Sequence, residues 1–355
     1  MKSARMTKAS RSARLGMAAA SVLALAAAAP ALAAERASVD YELAHIAPLG
    51  APGSQDYLTF DPATDRVFVA HATKVAVIDA RTHAVVGAIG PFHDSHGIAI
   101  VTALGKGYAD SGDDGVVKVF NLSDLAIVKT IKVSPDADGM AFDPHTGLVL
   151  VVAGDSHNLT AIDPARDTVA KVIDLGGKPE FLAVDGRGKA YVNLMDLNKI
   201  AKVDLVSGKV EAAWPLQNCT TPKGLAYDPR THRLFSGCAS GRMAVVDAAD
   251  GHAVANLPIG VGSDGVAVDA ERGLAFSSNG EGTLTVVRHE GGDRYSVART
   301  VPTFFGGRTM TVDPATGTLF VAYDTLKREL HKKGAPPALR FDFDATAVAI
   351  LEPRF

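Results

Sequence analysis

The amino-acid sequence predicts an all-β fold, a seven-bladed β-propeller with four antiparallel strands per blade and an N-terminal strand closing the last blade. Three observations carry that expectation. A motif returns about every forty residues, each repeat divides into four short strand-like runs, and the strands left over at the two ends complete one blade. The clearest copies are Gly139-Met-Ala-Phe-Asp143, Gly224-Leu-Ala-Tyr-Asp228 and Gly265-Val-Ala-Val-Asp269. Looser copies end at Asp61, Val101, Asp185 and Asp313, so that the seven last positions are spaced by 40, 42, 42, 43, 41 and 44 residues. Repetition at that period marks a propeller or another repeat architecture.

The chain of 355 residues opens with a segment that does not belong to the repeats. Lys2, Arg5, Lys8, Arg11 and Arg14 precede an Ala/Leu-rich run from Leu15 to Ala29, and Ala31-Leu32-Ala33 or Leu32-Ala33-Ala34 offers a small-residue cleavage site. Residues 1–34 therefore read as a general-secretion signal peptide, with a membrane anchor as the alternative. The expected product is periplasmic or secreted, a single domain over 38–355 with no further membrane-spanning segment and no need to oligomerise. The chain has 36 basic and 39 acidic residues, and the leader holds five of the basic ones and no acidic one, so the remainder carries a net charge of −8. A net acidic domain without a basic run argues against a nucleic-acid partner, whose phosphates need a Lys/Arg footprint.

Within the repeats, the third shows the strand pattern most plainly: Met140–Phe142, Leu148–Val152, Leu159–Ile162 and Thr168–Ile173. Between them stand Asp143-Pro-His-Thr-Gly, Gly154-Asp-Ser-His-Asn and Asp163-Pro-Ala-Arg-Asp, whose Gly, Pro and Asp favour turns. The aspartates at these turns have a structural task. Asp61, Asp143, Asp228 and Asp313, and likewise Asp79, Asp163, Asp204 and Asp247, are expected to cap backbone N–H groups. At the ends, Tyr41–Leu49 resembles a fourth strand that precedes the first repeat, while the last repeat lacks one. Pairing the two would close the ring and leave no open sheet edge at the seam. The segment Asp324–Arg340, with Lys327, Arg328, Lys332, Lys333 and Pro336-Pro337, reads as an exposed basic loop. Two cysteines exist, Cys219 and Cys238. An even count in an exported chain reads as a disulfide, and the repeat places both at one end of the same hairpin.

On top of this pattern, Gly176-Gly-Lys-Pro-Glu-Phe181, Tyr191-Val-Asn-Leu194, Arg233-Leu-Phe-Ser-Gly-Cys238 and Phe276-Ser-Ser-Asn-Gly280 resemble the bacterial YVTN/YncE-type β-propeller proteins. The resemblance covers the chain behind the leader and implies an exported seven-bladed propeller. It implies little chemistry. The Tyr-Val-Thr-Asn tetrapeptide itself is replaced by variants such as Tyr191-Val-Asn and Phe320-Val-Ala.

Candidate chemistry lies one residue upstream of the constant motif. Asp56, His96, Asp138, Glu180, Lys223, Asp264 and Arg308 occupy that slot in repeat order, and every one is ionisable. The slot should face the mouth of the central channel, where propellers place their sites. Two readings follow. In one, Glu180–Lys223 and Asp264–Arg308 form salt bridges lining a wet channel; in the other, Lys178, Lys223 and Arg308 receive the carboxylate or phosphate of a small anionic or polyhydroxylated ligand. His71, His93, His96 and His157 are expected on the same face, and His93, His96 and Asp138 offer the imidazole–carboxylate set that suits a divalent metal. The alternative for His96 is a hydrogen bond across the mouth to Asp56 or Asp138.

No nucleophile elbow, P-loop, HExxH or CxxCH is present. Gly306-Gly-Arg308-Thr and Glu180 resemble residues of lactonases of the 6-phosphogluconolactonase type, although Thr309 stands where those enzymes carry histidine. The expected function is therefore ligand binding or scaffolding through the mouth. The alternatives are a metal-dependent lactone or ester hydrolase on the same face, and a protein-interaction platform, a periplasmic protein being the partner.

Overall fold

Val, Ile, Phe and Ala dominate the second and third strands of each repeat, and such strands are stable only when both faces are covered. Neighbouring blades cover them. The computed structural model describes residues 39–50, 54–329 and 338–354, with side chains over 39–50, 54–324 and 346–354. It is all-β apart from a short 3-10 turn at Thr102–Leu104, and its strands form seven four-stranded antiparallel sheets. The innermost strands are Gln55–Asp61, Ile98–Val101, Ala137–Asp143, Pro179–Val184, Pro222–Asp228, Ser263–Asp269 and Gly307–Val312, for blades one to seven. The apolar core is divided accordingly. Seven buried clusters occur among the described residues, each shared by two adjacent blades: Phe68 of blade one packs with Ile98 and Ala109 of blade two, and Phe235 of blade five with Val266 of blade six.

The ring closes as the sequence predicts. Asp40–Pro48 is the outermost strand of blade seven and pairs antiparallel with Ala338–Arg354, Leu43 opposite Leu351 and Ala47 opposite Val348. Tyr41 is buried there, edge-on to Phe276 at 5.4 Å. The turn aspartates cap as expected. Asp61, Asp143, Asp228 and Asp313 each accept from a Thr hydroxyl three residues on at 2.7 Å. Asp79, Asp163, Asp204 and Asp247 accept backbone N–H groups two or three residues on. Cys219 and Cys238 form a disulfide with Cα atoms 5.5 Å apart, buried at the mouth-side end of blade five.

One expectation is corrected. Asp324–Arg340 is not a loop throughout, because the ladder between Leu319–Glu329 and Ala338–Arg354 continues past the blade, from Thr325 opposite Asp342 to Glu329 opposite Ala338. No apolar–polar alternation in Thr325-Leu-Lys-Arg-Glu329 announces this two-stranded ribbon, and its charge reads in the sequence as a loop. Lys332, Lys333, Pro336 and Pro337 lie outside the described residues, as does the leader read over 1–34.

Candidate functional site

The ionisable slot sits where the inner strand breaks register. In six blades the pairing slips between the strand's first residue and its regular part, as between Gln55 and Leu58 or between Pro179 and Leu182. Such a bulge re-aims side chains that regular alternation would send into the sheet. Blade two dispenses with that ladder: the Asp110 carboxylate accepts the backbone N–H of both His96 and Gly97 at 2.8 Å. The residue after the slot is glycine in four blades for lack of space. A Cβ on Gly97 would lie 2.2 Å from the Asp138 carbonyl oxygen, and one on Gly224 or Gly265 would meet the next blade's backbone at 2.6 and 2.8 Å.

Five of the seven slots join in one chain of ion pairs. Arg308 donates from Nε to Asp264 Oδ2 at 2.9 Å, and its Nη2 lies 3.8 Å from Asp56 Oδ2. Lys223 bridges Glu180 at 2.9 Å and Asp264 at 3.1 Å. The expected pairs Glu180–Lys223 and Asp264–Arg308 are thus both present. Burial pushes the Asp264 carboxyl up, but Arg308 and Lys223 more than offset it and hold it below its ordinary value. Asp56, whose ion pair with Arg308 is longer, is raised by burial to about 7 against the opposing charges of Arg308 and His96.

His96 turns away from the expected partners. Its Nδ1 lies 3.5 Å from Asp110 Oδ2 and 3.3 Å from the Ala137 carbonyl oxygen, and its Nε2 lies 3.4 Å from Asp94 Oδ2. Burial disfavours its charge, yet the Asp110 hydrogen bond and charge, with Asp56 and Asp138 beyond, raise it to about 11. Asp110 is the mouth residue that motif reading passes over. A signal existed: it is the one charged residue at a second-strand position held elsewhere by Ala70, Val152, Asn193, Gly237, Ser278 and Ala322.

The proposed metal set does not assemble. His93 is exposed and pairs with Asp114 at 3.0 Å, His96 is taken by Asp110, and with Asp138 the two do not bring three donor atoms within 4.8 Å of one another. Among the described residues, the donor group close enough to hold one ion is Asp247, Asp250 and His252, on an exposed turn of blade five. Nor do the four histidines gather: His71 is sealed against Thr346 Oγ1 at 2.5 Å, while His157 is exposed.

Asp138 makes no hydrogen bond or ion pair among the described residues; burial, with Asp56 and Glu180 nearby, holds its carboxyl well above the ordinary range. Beside it, Tyr57 of blade one and Phe181 of blade four meet across the ring with centroids 4.3 Å apart. Both stand in the slot that glycine fills in four of the other five blades, which is how the sequence could have disclosed them. Tyr57 is 7% exposed, and burial followed by Asp138, Glu180, Asp56 and Asp264 raises its phenol well above the usual value.

These shifts set a pH dependence. His96 folds with a pKa near 11 against 6.5 ordinarily, so its stabilisation is complete below pH 6.5 and is lost as pH rises through 11. Asp56, raised to about 7, acts in the same sense until it ionises. Between pH 6.5 and about 8.5 the melting temperature should fall by roughly 2–5 °C, about 1–2 kcal/mol. His96→Gln should flatten that slope. A melting temperature that holds or rises over the interval would contradict the assignment.

No family model matches the chain, and no curated protein matches it. Solved structures match at the level of fold. A Kuenenia stuttgartiensis hydrazine synthase chain superposes with a TM-score of 0.68 at 16% identity, covering 76% of this chain and 92% of that one. U3-55K gives 0.70 at 12% identity, covering 87% and 98%, and the RRP9 WD40 repeats give 0.71 at 12%, covering 89% and 98%. At these identities the likeness shows the propeller alone.

Proposed function

We propose that the chain is an exported, non-enzymatic binding protein whose ligand enters the charged channel mouth. The observation that carries this reading is the contrast inside the mouth. Arg308, Lys223, Asp264 and Glu180 are locked in ion pairs, while the Asp138 carboxyl and the nearby Tyr57 hydroxyl make no hydrogen bond or ion pair among the described residues. Polar groups at a channel mouth that are not spent on one another are available to a ligand. The Cys219–Cys238 disulfide supports a compartment outside the cytoplasm. The separation of His93, His96 and Asp138 favours binding over metal-assisted hydrolysis.

A thermal-shift screen of small polar compounds tests the reading. A ligand at a hundredfold excess over its Kd adds about 2.7 kcal/mol, a rise of several degrees that Glu180→Ala combined with Lys223→Ala should abolish. A broad screen without a single such rise would count against the mouth as a binding site. The ribbon that extends blade seven beyond Asp324 favours a second reading, docking of a protein partner. Deleting residues 325–345 would then lose the partner and leave ligand shifts intact.

A further inference from the structure

The charges in the mouth leave one sign unserved. Arg308 is divided between Asp264 and Asp56, Lys223 between Glu180 and Asp264, and His96 is held by Asp110. At the rim, Lys178 is on Asp155 at 2.7 Å. Every cation that the sequence offered to an anionic ligand already touches a carboxylate. The acidic side differs. Asp138 has no partner among the described residues, and the ion pair of Asp56 is a long one at 3.8 Å.

Tyr57 supplies an independent pointer. More than nine-tenths of the residue is buried, its hydroxyl makes no hydrogen bond among the described residues, and four mouth carboxyls act on it: Asp138, Glu180, Asp56 and Asp264. Its ring and that of Phe181 meet at a 30° tilt, 4.3 Å between centroids, beside those carboxyls. Aromatic faces combined with carboxylates select positive charge over negative. The size of that cation is also constrained. The mouth carboxyls do not bring their oxygens within 4.8 Å of one another as a three-residue set, so their spacing suits an organic cation better than a bare metal ion.

We infer that the mouth binds an aliphatic amine or diamine, whose ammonium donates to the Asp138 carboxylate and the Tyr57 hydroxyl oxygen against the Tyr57 and Phe181 rings. The inference rests on the mouth being a binding site and names the ligand class it takes. Asp138 holds a proton more firmly than an ordinary carboxyl because it is buried beside Asp56 and Glu180, and the arriving ammonium takes the place of that proton.

Calorimetric titration of the whole protein at mildly alkaline pH, with diaminobutane, butylamine, butanediol and succinate as probes, decides the matter. The two amines should bind and the diol and dicarboxylate should not. Asp138→Asn, isosteric with the protonated carboxyl, should weaken the amines by about tenfold or more, and Tyr57→Phe by about threefold. Phe181→Leu gives the same readout should the Asn variant fail to melt cooperatively. Amine binding that neither Asp138→Asn nor Phe181→Leu weakens would overturn the inference. Binding of succinate or butanediol in place of the amines, lost in the Glu180/Lys223 double variant, would overturn the ligand class and leave the mouth as a binding site. If no probe binds, the ligand class fails, and the thermal-shift screen then decides whether the mouth reading fails with it.

Discussion

Deleting Asp40–Pro48 should unfold the propeller rather than trim it. That strand supplies the whole outer edge of blade seven, pairing with Ala347–Arg354, and it buries Tyr41 and Ala47 in the seam. Losing one large buried side chain costs about 1.5–3 kcal/mol, and exposing the edge of the preceding strand adds an aggregation template. With the backbone hydrogen bonds of the ladder to Ala347–Arg354, about 1 kcal/mol each, the loss is comparable with the roughly 5–15 kcal/mol that holds a domain together. The deletion variant should show no cooperative melt and should elute as aggregate on size exclusion, with a peptide of residues 40–48 restoring the monomer in part. A deletion variant that melts within a few degrees of the parent would show that the ring is closed by its inner strands alone.

Gly97→Ala should be the most damaging single-atom addition near the site. The new Cβ would lie 2.2 Å from the Asp138 carbonyl oxygen and 2.8 Å from the Met140 nitrogen, both backbone atoms with no freedom to swing aside. Overpacking against backbone costs roughly 3 kcal/mol or more, about 5–10 °C in melting temperature. It should also disturb His96 and Asp138, so any ligand seated on Asp138 should be lost. Gly147→Ala is the control: its Cβ meets nothing within 4 Å, and only its φ of +69° opposes the change. That strain is about 1 kcal/mol. Equal effects from the two substitutions would mean that close packing of inner strands does not govern the mouth.

Much of the architecture was legible because it is written in local chemistry. The seven copies of the motif, the Asp-led turns and the lone strand before the first repeat each depend on residues near one another in the chain. The same is true of Cys219 and Cys238, which one hairpin brings together. The mouth was legible only in part. Its slot could be listed from Asp56 to Arg308, and two of its salt bridges anticipated, since adjacent blades place adjacent slots side by side. The ribbon beyond Asp324 was hidden, because basic residues in a two-stranded extension look no different from basic residues in a loop.

The number of blades and the closure of the ring follow from period and pattern alone, as does the list of seven ionisable residues one step before each copy of the motif. Which of the seven are spent on one another and which are left open depends on how the blades pack around the channel. His96 turns to Asp110 within its own blade, Arg308 reaches Asp264 and Asp56, and Asp138 is left beside Tyr57 and Phe181. The reason is geometric. A bulge sets the aim of six of the slots, Asp110 that of His96, and the ring sets what each can reach, so contacts such as that between Thr309 and Asp56, 253 residues apart, have no local signature.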